Sequence, residues 1–231
     1  MAQLGQDPHS RRYGHEWKNA AKVSEYVERI DREDPRAEGF VVLAAVVPFP
    51  REQPIRVLDV GAGQGTVSSV LLDKFPAAQA IGVDVSEPMM EIGRERMAQY
   101  GERFAYHVGD FVDGDLPANL PGPFDVVVSS RAIHHLPTAT KQRLYGQIYA
   151  CLNRGGAFFN LDGVAPPDER LRDIYRSARG SRPERSADGM RSPGHYFESL
   201  EEHLGLLRTA GFAPVDCFWK RLNLVLLGGY G

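Results

Sequence analysis

Residues 56–66 read RVLDVGAGQGT, and no other stretch narrows the fold of this chain as much. Residues 55–60 are apolar and rich in β-branched side chains, which predicts a short buried parallel strand. Asp59 stands near the end of the run, and Gly61-Ala62-Gly63-Gln64-Gly65 breaks it. Thr66 then opens a helical pattern with Val67, Val70, Leu71 and Phe75 on one face. Strand, glycine turn and helix together make a site for a nucleotide-like ligand. Glycine permits a sharp turn and leaves no Cβ in the way of a ligand.

Spacing decides which kind of ligand. A dinucleotide fingerprint, GxGxxG, needs glycine where Thr66 stands, and a phosphate-binding GxxxxGK[ST] loop needs a lysine that does not follow these glycines. Asp59, two residues before the first glycine, would repel a pyrophosphate and suits an ammonium or a sulfonium. One strand later Asp84 ends the run in IGVDVS, where a carboxylate can take two hydroxyls of a ribose. Ser86 is a better cap for the helix opening at Glu87 than Asp84 is. These acids describe a pocket for a cationic nucleoside.

The segments VLDVGAGQG, GVDVSEPMM, GDF, FDVVVSS and LNRGGAFF, in this order, resemble the class I S-adenosylmethionine-dependent methyltransferases from about residue 56 to the C-terminus. The resemblance implies an α/β fold with a Rossmann-like, doubly wound, seven-stranded and mostly parallel sheet. It also implies S-adenosyl-L-methionine as cofactor and S-adenosyl-L-homocysteine as product. Gly61, Gly63 and Gly65 would then present backbone to the methionine part, and Asp59 would hold its ammonium directly or through water. Asp84 would take the ribose, while Val85 and Met89 would bracket the adenine. Asp110 would accept from the adenine amino group, the N–H of Phe111 would donate to the ring, and the backbone at Ser129 would face the methionine.

Helical patterns at 16–30 and 37–47 precede the first strand, and Pro48, Pro50 and Pro54 bracket the linker. Residues 1–54 therefore read as an N-terminal helical cap and linker, and 55–231 as the cofactor-binding core. The core alternates strands at 55–60, 79–83, 103–108, 124–129 and 155–161 with helices at 64–75, 87–100, 138–151 and 198–210. Two closing strands, 213–219 and 222–227, form a hairpin, so one of them runs antiparallel. Residues 163–197 are too long for a plain connection and read as a lid, with a helix at 168–178 and many arginines set among acids. Those arginines either grip an acceptor carboxylate or phosphate, or belong to a solvated loop of mixed charge.

Transfer from a methyl sulfonium needs an in-line nucleophile, exclusion of water and, for some acceptors, a base. His134 and His135, in SSRAIHHLP, are the candidate catalytic residues, and one of them is also suited to packing beneath the cofactor. Trp17, Arg131, Tyr196 and Trp219 are the candidate acceptor contacts. Trp17 and Tyr26 serve equally well as anchors of the first helix. Lys220 has a plainer role in protecting an edge strand.

With 231 residues and a formal charge of −3, the chain offers no global basic field for nucleic acid. No run approaches the ~18 apolar residues of a membrane span, and no apolar signal core opens the chain. Cys151 and Cys217 lack metal spacing and fit thiols in a reducing, cytoplasmic compartment, so no metal is expected. The expected protein is a monomer or homodimer that methylates O, N or C of a small, possibly anionic, metabolite. Two alternatives remain: an enzyme like the carboxy-S-adenosylmethionine synthases, which modify the cofactor itself, and a cofactor-binding protein without turnover.

Overall fold

The computed structural model describes residues 17–178 and 196–231. A helical pair opens it, α1 (Ala20–Arg32) and α2 (Ala37–Val46). The sheet and its helices follow as β1 (Arg56–Val60), α3 (Thr66–Lys74), β2 (Gln79–Asp84), α4 (Glu87–Met97), β3 (Phe104–Val108), β4 (Phe124–Ser130), α5 (Thr138–Cys151) and β5 (Leu152–Gly163). After α6 (Glu169–Ala178) come α7 (Leu200–Ala210), β6 (Val215–Arg221) and β7 (Leu224–Tyr230). The seven strands lie in the order β3-β2-β1-β4-β5-β7-β6. Six strands run in one direction and β7 alone runs against them, pairing antiparallel with β5 on one side and β6 on the other.

The central strands are apolar on both faces because helices cover both. Side chains alternate between the two covers. Val57, Val126 and Phe159 pack with Phe40, Leu43, Leu71 and Phe75 of the α2–α3 side. Leu58, Val127 and Phe158 pack with Leu144, Tyr145 and Leu207 of the α5–α7 side. α2 thus contributes to the main core of the sheet.

Element ends differ from the sequence expectation where a side chain or a glycine sets the boundary. The first helix starts at Ala20 and not at residue 16, because the Asn19 carboxamide accepts hydrogen bonds from the N–H groups of Ala21 and Lys22. The fourth helix of the chain, α4, stops at Met97. Residues 98–103 wind on as a 3₁₀ turn in which Gly101 leaves helical geometry (φ 54°, ψ −130°). Ser199 caps α7 in a capping box with Glu202, and Gly211 ends it at φ 115°.

The expected lid at 163–197 is described only at its ends; residues 179–195, which hold most of its arginines and His195, lie outside the described residues, as does Tyr13. α6 buries no side chain and touches β6 through a Lys220 Nζ to Tyr175 Oη hydrogen bond of 3.2 Å. The returning end is firmly held. The Phe197 ring stacks on His134, and the Tyr196 N–H donates to the His134 carbonyl at 2.8 Å. Lys141 is fully buried in α5 and donates to the Tyr196 carbonyl and to Glu198. Thr138 Oγ1 donates to the other Glu198 oxygen at 2.7 Å, and His203 Nε2 lies 3.4 Å from Glu198. Burial, with the Lys141 charge beside it, keeps the His203 imidazole below its usual range.

Removing one partner of a buried ion pair leaves the other charge uncompensated. Lys141→Met is therefore expected to cost on the order of 3–5 kcal/mol in urea unfolding. Lys141→Met combined with Glu198→Leu should recover most of that loss. A loss under about 1 kcal/mol for the single variant would contradict the pairing.

Candidate functional site

A cavity opens where β1, β2 and β4 end, at the reversal of strand order between β1 and β4. Its volume is about 960 Å³, counting space open to solvent. α1, α2 and the residues before them close it from above through Trp17, Tyr26 and Arg36. Trp17 meets Tyr26 edge-on at 5.2 Å, and its carbonyl accepts from Ser86 Oγ.

The glycine turn forms the floor. Gly61 sits at φ 74°, and a Cβ added there would lie 2.2 Å from the Cβ of Ala132. Only glycine lets the ends of β1 and β4 come this close. Four of the five N–H groups of the turn are engaged within the protein. Those of Gly61 and Ala62 donate to the Val83 carbonyl, that of Gly65 to the Ala62 carbonyl, and that of Gly63 to Asp84 at 2.7 Å. Phosphate sites need such donors aimed at the ligand. Here they are engaged, so the floor offers carbonyl and Cα surface to a ligand that is not a phosphate.

Three acids stand at this end. Asp84 lines the cavity, and each of its oxygens accepts one backbone N–H, from Gly63 at 2.7 Å and from Ser86 at 2.8 Å. A lone pair on each oxygen remains for hydroxyl donors. Burial pushes its carboxyl above the ordinary range, against the backbone N–H groups of Ser86, Gly63 and Val85. Asp110 is exposed at the rim and accepts from the Val112 N–H at 2.7 Å. Asp59 is fully buried beneath the floor. Its Oδ2 accepts from Ser68 N–H at 3.2 Å and from Ser68 Oγ at 2.8 Å, while Oδ1 has no hydrogen-bond partner among the described residues. Burial pushes its carboxyl up to about 7, against the Ser68 bonds, and the nearby Asp84 adds to the rise.

Arg36 is the cation that sequence reasoning missed. It is buried at the cavity wall, where Asp34 grips it in a fork (Nε to Oδ1 at 2.8 Å, Nη2 to Oδ2 at 2.7 Å), and its Nη1 donates to Ser130 Oγ at 3.1 Å. The only sequence signal was the Asp-Pro-Arg triplet that opens α2, and nothing in it announces a partner 94 residues away.

Of the expected site residues, Gly61, Gly63, Asp84, Val85, Met89, Asp110, Phe111, Trp17, Arg131 and His135 line this one cavity. Met89 does double duty, packing with Val23 and Val27 of α1. Asp59, Gly65, Ser129, His134, Tyr196 and Trp219 do not line it. Gly65 turns the chain at φ 84° with Met97 against it. Ser129 Oγ donates to the Val60 carbonyl at 2.7 Å. His134 is buried behind the wall, its Nδ1 2.7 Å from Asp162 Oδ1 and its backbone N–H on Asp162 Oδ2. Burial would raise the Asp162 carboxyl, but the charge and hydrogen bonds of His134 hold it well below the carboxylate range. Tyr196 meets the wall through its backbone, and Trp219 lies over Gly39 of α2, in the core of the sheet. Among the described residues no group of three or more His, Cys, Asp or Glu is placed to hold a metal, and no helix is long and apolar enough to cross a membrane.

Comparison with known proteins agrees with this geometry. The family described as "Methyltransferase domain" matches residues 57–156. The malonyl-[acyl-carrier protein] O-methyltransferase of Geobacter sulfurreducens is 32% identical over 72% of this chain and 58% of its own. Residues 57–156 thus carry a methyltransferase domain, and the chain is similar to the class I S-adenosylmethionine-dependent methyltransferases. Another relative of the chain is the trans-aconitate 2-methyltransferase of Variovorax paradoxus, 29% identical over 73% of this chain and 63% of its own. The chain thus spans about three fifths of the length of these curated relatives. The solved structure of PigF with SAH has the same fold, with a TM-score of 0.70 at 21% identity, covering 99% of this chain and 64% of that one.

Because burial weakens the Asp59 acid, stability depends on pH. The folded protein keeps a proton that the unfolded chain releases above about 4, so the Asp59 contribution lowers stability as pH rises from about 4 to about 7 and is constant beyond. Asp59→Asn is expected to flatten this slope and to stabilise the unliganded protein at pH 8 by on the order of 2–4 kcal/mol. Thermal or urea unfolding across pH, read as the difference from wild type, checks this. An equal slope in both proteins would contradict it.

Proposed function

We propose that the protein transfers the methyl group of S-adenosyl-L-methionine to O, N or C of a small, anionic metabolite and releases S-adenosyl-L-homocysteine. The observation that carries this reading is the buried, half-partnered Asp59 below a glycine turn whose N–H groups are engaged. That floor rejects phosphate and favours a cation. Asp84 would take the ribose hydroxyls through its remaining lone pairs. Val85, Met89, Phe111 and Asp110 would hold the adenine. Asp59, beneath Gly61 and Gly63, would balance the ammonium. Arg36, whose guanidinium has five N–H donors, still has donors for the methionine carboxylate.

When bound, the cofactor supplies a methyl group on a sulfonium, an electrophile that needs no further activation. The chain's own work is to orient the acceptor and to exclude water. Trp17 and Tyr26 would close the cavity from above. His135, on the cavity wall, would take a proton from acceptors that carry one, and His134, paired with Asp162, would position that wall. Arg131, the second arginine of the cavity, favours an anionic acceptor, and the names of two relatives, a malonyl-[acyl-carrier protein] O-methyltransferase and a trans-aconitate 2-methyltransferase, point the same way.

Titration calorimetry of the full chain with S-adenosyl-L-methionine and S-adenosyl-L-homocysteine tests the reading. Both should bind at micromolar concentration or tighter. Asp84→Ala is expected to weaken both by on the order of 2–4 kcal/mol, the worth of two charge-assisted hydrogen bonds. Unchanged affinity in that variant, or no binding by the wild type, would contradict it.

A further inference from the structure

We propose that Arg131 is the anion anchor of the acceptor and that the acceptor is a carboxylic acid on an apolar body. This rests on reading the cavity as a methyl-transfer site. β4 leaves the sheet at Ser130, and Arg131 follows in the left-handed region, at φ 54°. A side chain with a Cβ is disfavoured there, and such strain marks positions where function outweighs local comfort. The backbone is held in place on both sides. The Arg131 N–H donates to the Leu161 carbonyl at 3.2 Å, and Ala132 is wedged against Gly61.

The two cavity arginines differ in one respect. The guanidinium of Arg36 is tied to Asp34 and Ser130. That of Arg131 lines the cavity, is half-buried, and makes no hydrogen bond among the described residues. Asp162, the acid in electrostatic range of it, is already committed to the N–H and Nδ1 of His134 and to the Gly163 N–H. Of the acids that line the cavity, Asp84 ends β2 and Asp110 follows β3, both at the proposed nucleoside end. Arg131 therefore faces the cavity as a positive charge that the fold leaves for a ligand.

The surroundings choose among anions. A planar guanidinium matches a carboxylate in a two-point fork. A phosphate asks for several donors, and the floor's N–H groups are engaged elsewhere. Ala132, Leu136 and Trp17 complete the lining near Arg131 and His135, so the rest of the acceptor meets apolar and aromatic surface. The ligand that fits is a monoanionic acid with an apolar tail.

The test uses the full chain saturated with S-adenosyl-L-homocysteine, titrated with 3-phenylpropionate and its amide, and with 4-methylpentanoate and its amide. The wild type should bind at least one acid about tenfold or more tightly than its amide. Arg131→Gln and Arg131→Gly should abolish the difference, and Arg131→Lys should keep part of it. Glycine adopts φ 54° without strain, so Arg131→Gly should melt at or above the wild-type temperature, which separates lost binding from lost folding. Equal binding of both acids and their amides by the wild type, or an acid preference that survives in Arg131→Gly, would overturn the assignment. A carboxylated cofactor retained by the purified wild type and lost from Arg131→Gly would put the carboxylate on the cofactor and overturn the separate acid. Failure of S-adenosyl-L-homocysteine itself to bind would instead overturn the methyl-transfer reading, so the two failures are told apart.

Discussion

The contact between Gly61 and Ala132 is the constraint on which the site depends. It brings the ends of β1 and β4 together at the point where strand order reverses. With the two strand ends in contact, the turn folds its N–H groups back onto Val83, Ala62 and Asp84, and the floor loses the donors that would make it a phosphate cradle. What the floor offers instead is a buried carboxylate with one oxygen unpartnered. A single steric requirement, no Cβ at residue 61, thus lets the ends of β1 and β4 meet beneath the cavity.

The charges follow a simple geography. Acids gather at the ends of β1, β2 and β3, where a nucleoside and an ammonium would lie. Arginines stand at the end of β4 and on the helical cover, where carboxylates would lie. Several of these groups are held by partner side chains. Asp34 orients Arg36, Ser68 orients Asp59, and Asp162 fixes the ring of His134 behind the wall. The latter pairing changes what a histidine there can do. His134 carries the wall, joined through its carbonyl to the returning end of the 163–197 insertion, and His135 is the one that faces the cavity. The buried Lys141–Glu198 pair ties the same returning segment to α5 and, through His203, brings α7 close. The acceptor side of the site is thus braced by charges in the interior and not by the sheet alone.

Much of this was legible in the sequence, because the signals are local. β-branched runs mark the strands, the glycine turn marks the floor, and Asp84 ends a strand two residues before the Ser86 cap of the next helix. The sheet's hairpin followed from two strands too close in sequence to be parallel. What the sequence did not carry are pairings across long separations. Arg36 meets Ser130 across 94 residues, and His134 meets Asp162 across 28. No local pattern tells a histidine facing a ligand from one turned to a buried acid. Trp219 looked like a pocket residue for its size and position, yet the packing of α2 against β6 claims it over Gly39. Element ends slipped by a few residues wherever a cap, such as Asn19 or Ser199, decided them.

A crystal structure of the full chain grown with S-adenosyl-L-homocysteine tests the central claim most directly. The account predicts the ligand in the cavity at the ends of β1, β2 and β4, its ribose hydroxyls on Asp84, its carboxylate within reach of Arg36, and no ligand atom in contact with the N–H groups of Gly61 or Ala62. A ligand bound elsewhere, or one whose ribose turns away from Asp84, would contradict it.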